Sequence, residues 1–281
     1  MAINMERSPM PYETVSHPSN FAPDFPRNED GWIILPDDVA WRKELFPPMV
    51  MSHLAKMQMY LEDSIIKWVS KPGDILLDPM GGTGTLMIGA LQDRTVITID
   101  IELEYHNIQR EVYDYLKLFH PNMSPCIQLH GNCKLLLPIP CNHIITSPPY
   151  ASAFKPPKKV GNITKEKYHI SEDELQVYAK TLGNVGIENT FLYSQTMETC
   201  YKLYYQSILP GGTLSVVTKD IIENGKRTYL TKSIERVCTR IGFRLEAWIK
   251  TEMMGGPWQD ISRSKGLETV DDEDTLIFRR L

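Results

Sequence analysis

The sequence predicts an α/β fold in which a sheet of roughly seven strands is flanked by helices. Three observations support this fold class. A short apolar run at residues 75–77 leads directly into a glycine-rich turn, apolar segments with helical spacing alternate with β-branched runs further along, and two apolar runs near the C-terminus follow one another without a helix between them. A mostly parallel sheet that ends in a hairpin-like pair is therefore expected.

The first strand is predicted at residues 75–77, between Pro72-Gly73 and Pro79. A short apolar run bounded by such residues is typical of a strand buried on both faces of a parallel sheet. Asp78 follows at its carboxyl end. Open α/β sheets bind ligands at this edge, so Asp78 is a candidate site residue.

A glycine-rich turn follows Asp78. Gly81, Gly82 and Gly84 permit backbone conformations closed to other residues, and Thr85 begins a predicted apolar helix. The turn suits a nucleotide-like ligand, although a loop that binds nothing is also compatible with it. No Lys-Ser or Lys-Thr pair follows Gly84, so the phosphate-binding P-loop pattern is absent.

The second strand, at residues 95–100, is rich in β-branched residues and ends in Asp100. Asp100 lies 22 residues after Asp78, which is where dinucleotide-type folds place the acid that binds ribose hydroxyls. The same residue could instead cap the helix that follows. Its role as a ribose ligand is the prediction, and the capping role remains open.

Residues 144–150 read as a strand that ends in a Ser-Pro-Pro-Tyr elbow. Because Pro148 and Pro149 fix their φ angles and lack N–H groups, the chain leaves the strand along a stiff path. Ser147 and the carbonyl of Pro148 are candidate acceptors for the hydrogens of an amine, and Tyr150 offers a ring for stacking on a base. The alternative is an ordinary proline loop with a tyrosine in the core.

These two motifs together resemble those of the S-adenosylmethionine-dependent DNA methylases that act on cytosine N4 or adenine N6. Residues 78–85 are similar to the cofactor motif, with Met80 where Phe is usual, and residues 146–150 match the catalytic motif. The resemblance covers the chain from about residue 46 to its C-terminus. It implies a class I, Rossmann-like methyltransferase fold, with a mixed seven-stranded sheet flanked by helices.

The resemblance also implies S-adenosylmethionine as cofactor and direct methyl transfer to an amine, without a covalent enzyme intermediate. The serine form of the catalytic motif resembles the N4-cytosine branch. The implied catalytic residues are Ser147, Pro148, Pro149 and Tyr150. The predicted cofactor-binding residues around the two strand ends are Asp78, Pro79, Met80, Gly81, Gly82, Gly84, Thr85, Asp100 and Ile101.

Two further residues are secondary candidates for cofactor binding. Residues 46–57 resemble the segment that covers the methionine end of the cofactor in this family, and they contain His53, although a lone histidine is more often structural. Asn132 is the last residue of the segment 126–132, which reads as a third strand and its exit, and it stands where the family often has an Asp that reaches the adenine.

Helices and strands continue to alternate downstream. A helix is predicted at residues 190–209, with its aromatic residues in the core, then a strand at 213–217 and a helix at 229–241. The last two strands are expected at residues 243–250 and 274–278.

Composition favours one globular unit. The chain has 281 residues, of which 42% are hydrophobic and 23% charged, enough for one sizeable core. We expect a single methyltransferase domain at residues 32–281 with a substrate-binding insertion at about 151–189, preceded by an extended, proline-rich arm at residues 1–31. Neither a signal peptide nor an apolar run of about 20 residues is found, so a cytoplasmic protein is expected. Five cysteines without Cys-x-x-Cys spacing indicate reduced thiols and no metal site.

The net charge of −5 is unfavourable for nucleic-acid binding overall, so any contact must be local. Lysines follow the elbow directly, and they are predicted to track phosphates together with Lys219 on the opposite wall. The predicted substrate-binding residues are Lys155, Lys158, Lys159 and Lys219.

Three functions stay open: a DNA methyltransferase acting on cytosine N4 or, less favoured, adenine N6; an RNA base methyltransferase; and a non-catalytic nucleic-acid-binding subunit. The unassigned segments are short for a DNA recognition region. Specificity could therefore depend on a compact loop, a homodimer, a partner subunit or an RNA shape. No membrane partner is expected.

Overall fold

The computed structural model describes residues 18–52, 56–149, 181–223, 226–253, 263–264, 266 and 268–281. Within these residues, seven strands form one sheet in the order β3-β2-β1-β4-β5-β9-β8, and β6 and β7 form a separate hairpin. The strands are β1 (Ile75–Asp78), β2 (Thr95–Asp100), β3 (Cys126–His130), β4 (Cys141–Thr146), β5 (Ile208–Thr218), β6 (Ile221–Glu223), β7 (Lys226–Thr228), β8 (Phe243–Glu252) and β9 (Asp272–Arg280).

The sheet is mixed because β9 runs antiparallel to both of its neighbours, β5 and β8. The strands from β3 through β5 are parallel to one another. This is the mixed seven-stranded sheet with flanking helices that the sequence predicts, with the last two strands as a hairpin-like pair. The predicted fold class is confirmed.

Helices cover both faces of the sheet. The α-helices in the described residues are α1 (Val39–Leu45), α2 (Met59–Val69), α3 (Leu103–Phe119), α4 (Cys133–Leu136), α5 (Thr190–Ser207) and α6 (Leu230–Ile241). Within the same residues, 3-10 helices lie at Pro48–Ser52, Thr85–Gln92 and Val185–Ile187. The helix predicted after the glycine turn is therefore a 3-10 helix, and its residues 85–90 are all buried rather than divided between a core face and a solvent face.

Adjacent residues of each central strand enter different cores, because side chains alternate across a strand. Leu76 packs into a core on one face with residues of α2 and α3, whereas Leu77 packs into a core on the other face with residues of α5 and α6. The continuous apolar runs of β1 and β2 follow from burial on both faces.

Two details of α5 and β5 differ from the sequence prediction. The strand begins at Ile208, before the Pro-Gly-Gly segment, because Ile208 pairs with Cys141 of β4. Of the aromatics predicted in the core, Tyr193, Tyr201 and Tyr204 are buried, but Phe191 is 69% exposed. The prediction for Phe191 was wrong because Phe191 precedes Tyr193 by two positions, which places it on nearly the opposite side of the helix from the buried Tyr193 and Met197.

The described part of the N-terminal region packs on the sheet. Phe21 is fully buried, with its ring 5.8 Å from that of Trp68 on α2. Ile33 donates its backbone N–H to the carbonyl of Lys250 and accepts from the N–H of Glu252, which adds a bridge to β8 at the edge of the sheet. The domain boundary near residue 31 stays a prediction.

The five cysteines are free thiols and all are buried. None of the helices described is both long and apolar enough to cross a membrane. No group of three or more metal-binding side chains lies together in the described part of the chain.

Candidate active site

The site lies where the order of the strands reverses. From β1 the chain proceeds to β2 and β3 on one side, and then returns to place β4 on the other side of β1. Ligands of open α/β sheets bind in the crevice at such a point, beyond the carboxyl ends of the strands. A cavity of about 460 Å³ opens there.

The cavity brings together most of the residues predicted from the two motifs. Those that line it are Asp78, Pro79, Met80, Gly81, Gly82, Thr85, Asp100, Ile101, Asn132, Ser147, Pro148, Pro149 and Lys219. Gly84 lies outside the lining, and its φ of 83° explains the need for glycine there. The other predicted residues, His53, Tyr150, Lys155, Lys158 and Lys159, lie outside the described residues.

The glycine turn is supported by a side chain of α3. Gln109 donates from Nε2 to the carbonyl of Gly82 at 2.8 Å and accepts from the hydroxyl of Thr98 at 2.8 Å. A Cβ atom at Gly81 would lie 2.9 Å from Nε2 of Gln109. Close packing inside the protein thus favours glycine at position 81, and the bond from Gln109 helps to hold the turn.

Asp78 ends β1 beside the start of the Ser-Pro-Pro elbow. Its Oδ1 accepts from the backbone N–H of Met80 at 3.0 Å and from the hydroxyl of Thr146, the last residue of β4, at 2.8 Å. Burial raises the pKa of Asp78 to about 6, although these two hydrogen bonds oppose the rise. Asp78 therefore links the glycine turn to the elbow at the floor of the cavity.

Asp100 joins the end of β2 to the glycine turn. Its Oδ2 accepts from the N–H of Gly82 at 2.8 Å, and its Oδ1 accepts from the N–H of Glu102 at 2.9 Å. Burial raises the pKa of Asp100 to about 7, against the effect of both hydrogen bonds. The bond to Glu102 resembles the capping role that the sequence left open, and a carboxylate oxygen can still accept a second bond from a ligand.

Glu102 was not predicted, yet it organises one wall of the cavity. It accepts from the hydroxyl of Thr181 at 2.6 Å and from Nδ2 of Asn184 at 2.8 Å. These bonds fix residues 181–185 over the pocket, where a Cβ on Gly183 would lie 3.1 Å from Nδ2 of Asn132. Asn132 caps α4 by accepting from the N–H of Lys134 at 2.9 Å. The cap leaves its Nδ2 as the group facing this wall.

The far wall carries Lys219 and Glu273. Thr218 of β5 is paired with Asp274 of β9, so the next residues, Lys219 and Glu273, lie at the same end of the two strands. Both line the cavity together with Ser147. Burial raises the pKa of Glu273 to about 7, and the charge of Lys219 lowers it in part.

The neighbours of Glu273 on the strand face the other way, as alternation requires. Asp274 accepts from Nζ of Lys250 at 2.8 Å and from the indole of Trp248 at 2.6 Å. Asp272 pairs with Lys250 and with Arg227, which also binds Asp220 at 2.9 Å. Arg227 is thus part of an internal ion network.

Glu62 of α2 is a further lining residue that was not predicted. It is 1% exposed, and burial followed by the charge of Asp78 raises its pKa well above the usual range, whereas Arg42 lowers it. The sequence held a signal for it. Position 62 lies three residues before Ile65 on the apolar side of α2, where a charged residue is unusual.

No family model and no curated protein matches the chain. Among solved structures, TrmN from Thermus thermophilus is 13% identical over 83% of this chain and 52% of its own, with a TM-score of 0.48. This chain therefore spans about half the length of that protein. A methyltransferase from Pyrococcus furiosus is 12% identical over 80% of this chain and 83% of its own, with a TM-score of 0.45.

A precorrin 8W decarboxylase from Methanobacterium thermoautotrophicum is 13% identical over 88% of this chain and 100% of its own, with a TM-score of 0.48. At such identities the function has to be argued from the site itself.

Proposed function

We propose that this protein transfers the methyl group of S-adenosylmethionine to the exocyclic amine of a nucleobase, with cytosine N4 in DNA as the preferred acceptor. One observation carries the proposal. A single cavity is lined by the glycine turn and Asp100 on one side and by Ser147, Pro148 and Pro149 on the other. A cofactor on the first side would meet an amine on the second.

The residues present fit the cofactor. The volume of about 460 Å³ falls within the range of roughly 300–1,000 Å³ for small-molecule sites. Carboxylates outnumber lysines among the lining residues, which favours a ligand with positive charge. The lining acids are Glu62, Asp78, Asp100, Glu102 and Glu273, and the lining lysines are Lys56, Lys134 and Lys219.

Asp100 would hold the ribose hydroxyls and Asn132 the adenine edge, as the sequence predicts. When bound, S-adenosylmethionine supplies an electrophilic methyl group on a sulfonium. Asp78 and the glycine turn would hold this group facing the elbow. Proximity and orientation would then provide most of the rate enhancement.

The elbow would orient the amine. Ser147 and the carbonyl of Pro148 would accept hydrogen bonds from the two amine hydrogens, which favours a pyramidal nitrogen with a directed lone pair. That lone pair would form the new N–C bond while the S–C bond breaks and its electrons stay on sulfur. The nitrogen must then lose a proton, and a serine hydroxyl is too weak a base to remove it beforehand.

Glu273 would take that proton. It lines the same cavity as Ser147, and its pKa of about 7 suits a base that works near neutral pH. Carboxylates also accept hydrogen bonds from the amino group of cytosine, and an ammonium such as that of Lys219 donates to the neighbouring acceptor of the base. Adenine has the same donor-acceptor pair, so this wall suits both bases.

The Ser-Pro-Pro-Tyr form of the elbow supports cytosine over adenine through the resemblance stated above. An RNA acceptor is the alternative, since the negative net charge and short unassigned segments favour neither polymer. A homodimer or a partner subunit would add the recognition surface that the chain itself offers only in part.

The test is labelled methyl transfer from S-adenosylmethionine to duplex DNA by the wild-type protein and by Ser147→Ala. We expect the variant to lose about 100-fold or more in rate, because an acceptor that acts in the transition state is removed, while affinity for S-adenosylhomocysteine is retained. Tyr150→Ala should behave alike. Ser194→Ala, at an exposed serine on α5, serves as the matched control. Absence of cofactor binding by the wild-type protein would instead favour a non-catalytic subunit.

A further inference from the structure

Glu62 in the cavity has a buried carboxyl oxygen, Oε2, that makes no hydrogen bond to the described residues. The guanidinium of Arg42, although close enough to lower the pKa of Glu62, donates instead to Asp38 at 2.6 Å and to the carbonyl of Met57 at 2.8 Å. A buried carboxylate without a cation is costly, so its retention requires an explanation.

The position of Glu62 separates it from the predicted ribose site. Helix α2 packs against β4 and the 3-10 helix that follows the glycine turn, whereas Asp100 ends β2. Because β1 lies between β2 and β4, the helix that carries Glu62 contacts the strand on one side of β1, whereas Asp100 ends the strand on the other side. A ligand whose ribose lies at Asp100 and whose reactive centre lies near the elbow would extend its remaining end towards Glu62.

We propose that Glu62 binds the α-ammonium group at the amino-acid end of S-adenosylmethionine. This inference rests on the proposed function, which sets the direction of the cofactor in the cavity. An ammonium carries three donors and a carboxylate has lone pairs to accept them, and such charge-assisted bonds are the stronger kind. Lys56 lines the cavity as well and has the charge that suits the α-carboxylate of the same ligand.

The electrostatics agree with a cation at this place. Asp78 faces Glu62 and disfavours its ionised form, as burial does, while Arg42 opposes them. A bound ammonium would favour the ionised form and would replace the water that the carboxylate lost on folding. Its bond to Glu62 would also leave the reactive centre of the cofactor in a fixed position between Asp78 and the elbow.

The test compares three probes by calorimetry: S-adenosylhomocysteine, its analogue without the amino group, and 5′-methylthioadenosine, which lacks the whole amino-acid end. We expect the wild-type protein to bind S-adenosylhomocysteine about ten-fold or more tightly than the des-amino analogue. In Glu62→Gln that preference should largely disappear, while affinity for 5′-methylthioadenosine changes by no more than about two-fold.

Asp63→Asn is the matched control, since Asp63 is the next residue of α2 and pairs with Lys67 instead of lining the cavity. Equal losses for all three probes in Glu62→Gln, or no loss for any, would overturn the inference while leaving the proposed function standing. Failure of the wild-type protein to bind S-adenosylhomocysteine would overturn the proposed function and the inference with it. If Glu62→Gln does not fold, equal wild-type affinity for S-adenosylhomocysteine and its des-amino analogue still contradicts the inference.

Discussion

Two groups of buried carboxylates lie at the same edge of the sheet and differ in their partners. The network group is paired with cations of the chain itself and consists of Asp220, Asp272 and Asp274. The cavity group makes no ion pair within the described residues and consists of Glu62, Asp78 and Asp100. The charges of the first group are balanced by cations of the chain, and the second group has capacity left for a ligand.

The pKa alone does not separate the two groups. Burial raises the pKa of Asp274 to about 6 despite Lys250, and that of Asp78 also to about 6. One oxygen of Asp274 also makes no hydrogen bond to the described residues, but its other oxygen accepts from Lys250 and Trp248. The two groups differ in cation pairing and in contact with the cavity. These two features identify the cavity group as the candidate functional residues.

The largest effect is expected where the network is broken. Lys250→Met keeps the length of the side chain but leaves Asp272 and Asp274 without their shared cation. Removing one partner of a buried ion pair costs about 3–5 kcal/mol in the free energy of unfolding. Urea unfolding of the wild-type protein and of Lys250→Met measures this loss in the free energy of unfolding.

Lys202→Met is the control, because Lys202 is 57% exposed and its pair with Glu198 should contribute about 1 kcal/mol or less. If Lys250→Met is no more destabilising than Lys202→Met, the network is not structural and the contrast with the cavity group fails.

The next effect concerns the far wall of the cavity. In Glu273→Gln we expect methyl transfer to slow about 100-fold, equivalent to about 2.7 kcal/mol, because the proton acceptor is lost. Affinity for S-adenosylhomocysteine should stay unchanged, and the rise of the rate with pH near 7 should disappear, since this carboxyl no longer ionises. Initial rates from pH 5.5 to 8.5 measure both.

Glu198→Gln provides the control, since Glu198 is a half-buried glutamate of α5 that pairs with Lys202 and does not line the cavity. A normal rate and an unaltered pH profile in Glu273→Gln would remove this residue from the mechanism and leave Ser147 alone at the acceptor side.

A smaller effect is expected at Asp100. Asp100→Asn should weaken S-adenosylhomocysteine binding by about ten-fold, or about 1.4 kcal/mol, because the ribose hydroxyls lose a charged acceptor. Calorimetry measures it against Asp114→Asn, an exposed acid on α3. Unchanged affinity would mean that Asp100 serves only to hold the glycine turn and the first turn of α3.

The smallest effect is a pH dependence of stability. Because burial raises the pKa of Asp100 to about 7, the folded protein retains a proton that the unfolded chain releases above about pH 4. The free energy of unfolding therefore falls as pH rises through this window. Between pH 6 and pH 7 the wild-type protein should lose about 1 kcal/mol more than Asp100→Asn, as measured by urea unfolding. Parallel pH profiles for the two proteins would contradict the raised pKa.

The parts of the site that were predictable are those encoded within a few residues of one another. Two such patterns combine the end of a strand with a turn: Asp78 with the glycine turn, and Ser147 with its two prolines. Local patterns of this kind can be recognised in the sequence. The fold class followed from the alternation of these patterns.

Glu62, Glu102 and Glu273 could not be assigned in this way, because each depends on long-range packing. Glu273 lines the cavity only because β9 inserts antiparallel between β5 and β8, and Glu102 acts through residues about 80 positions later in the chain. Phe191 shows the opposite error, since an aromatic residue of the helix was assigned to the core although its position does not match the buried face that begins at Tyr193.

The most direct test of the central claim is the identity of the methylated nucleoside. After incubation with S-adenosylmethionine that carries a deuterated methyl group, DNA and RNA are digested and their nucleosides are identified by mass spectrometry. We predict labelled N4-methylcytosine from DNA with the wild-type protein and none with Ser147→Ala. Label on the adenine amine, or on a base amine in RNA, would revise the proposed acceptor but would support methyl transfer to an amine. Label on carbon or oxygen only, or no label in either polymer, would contradict the claim.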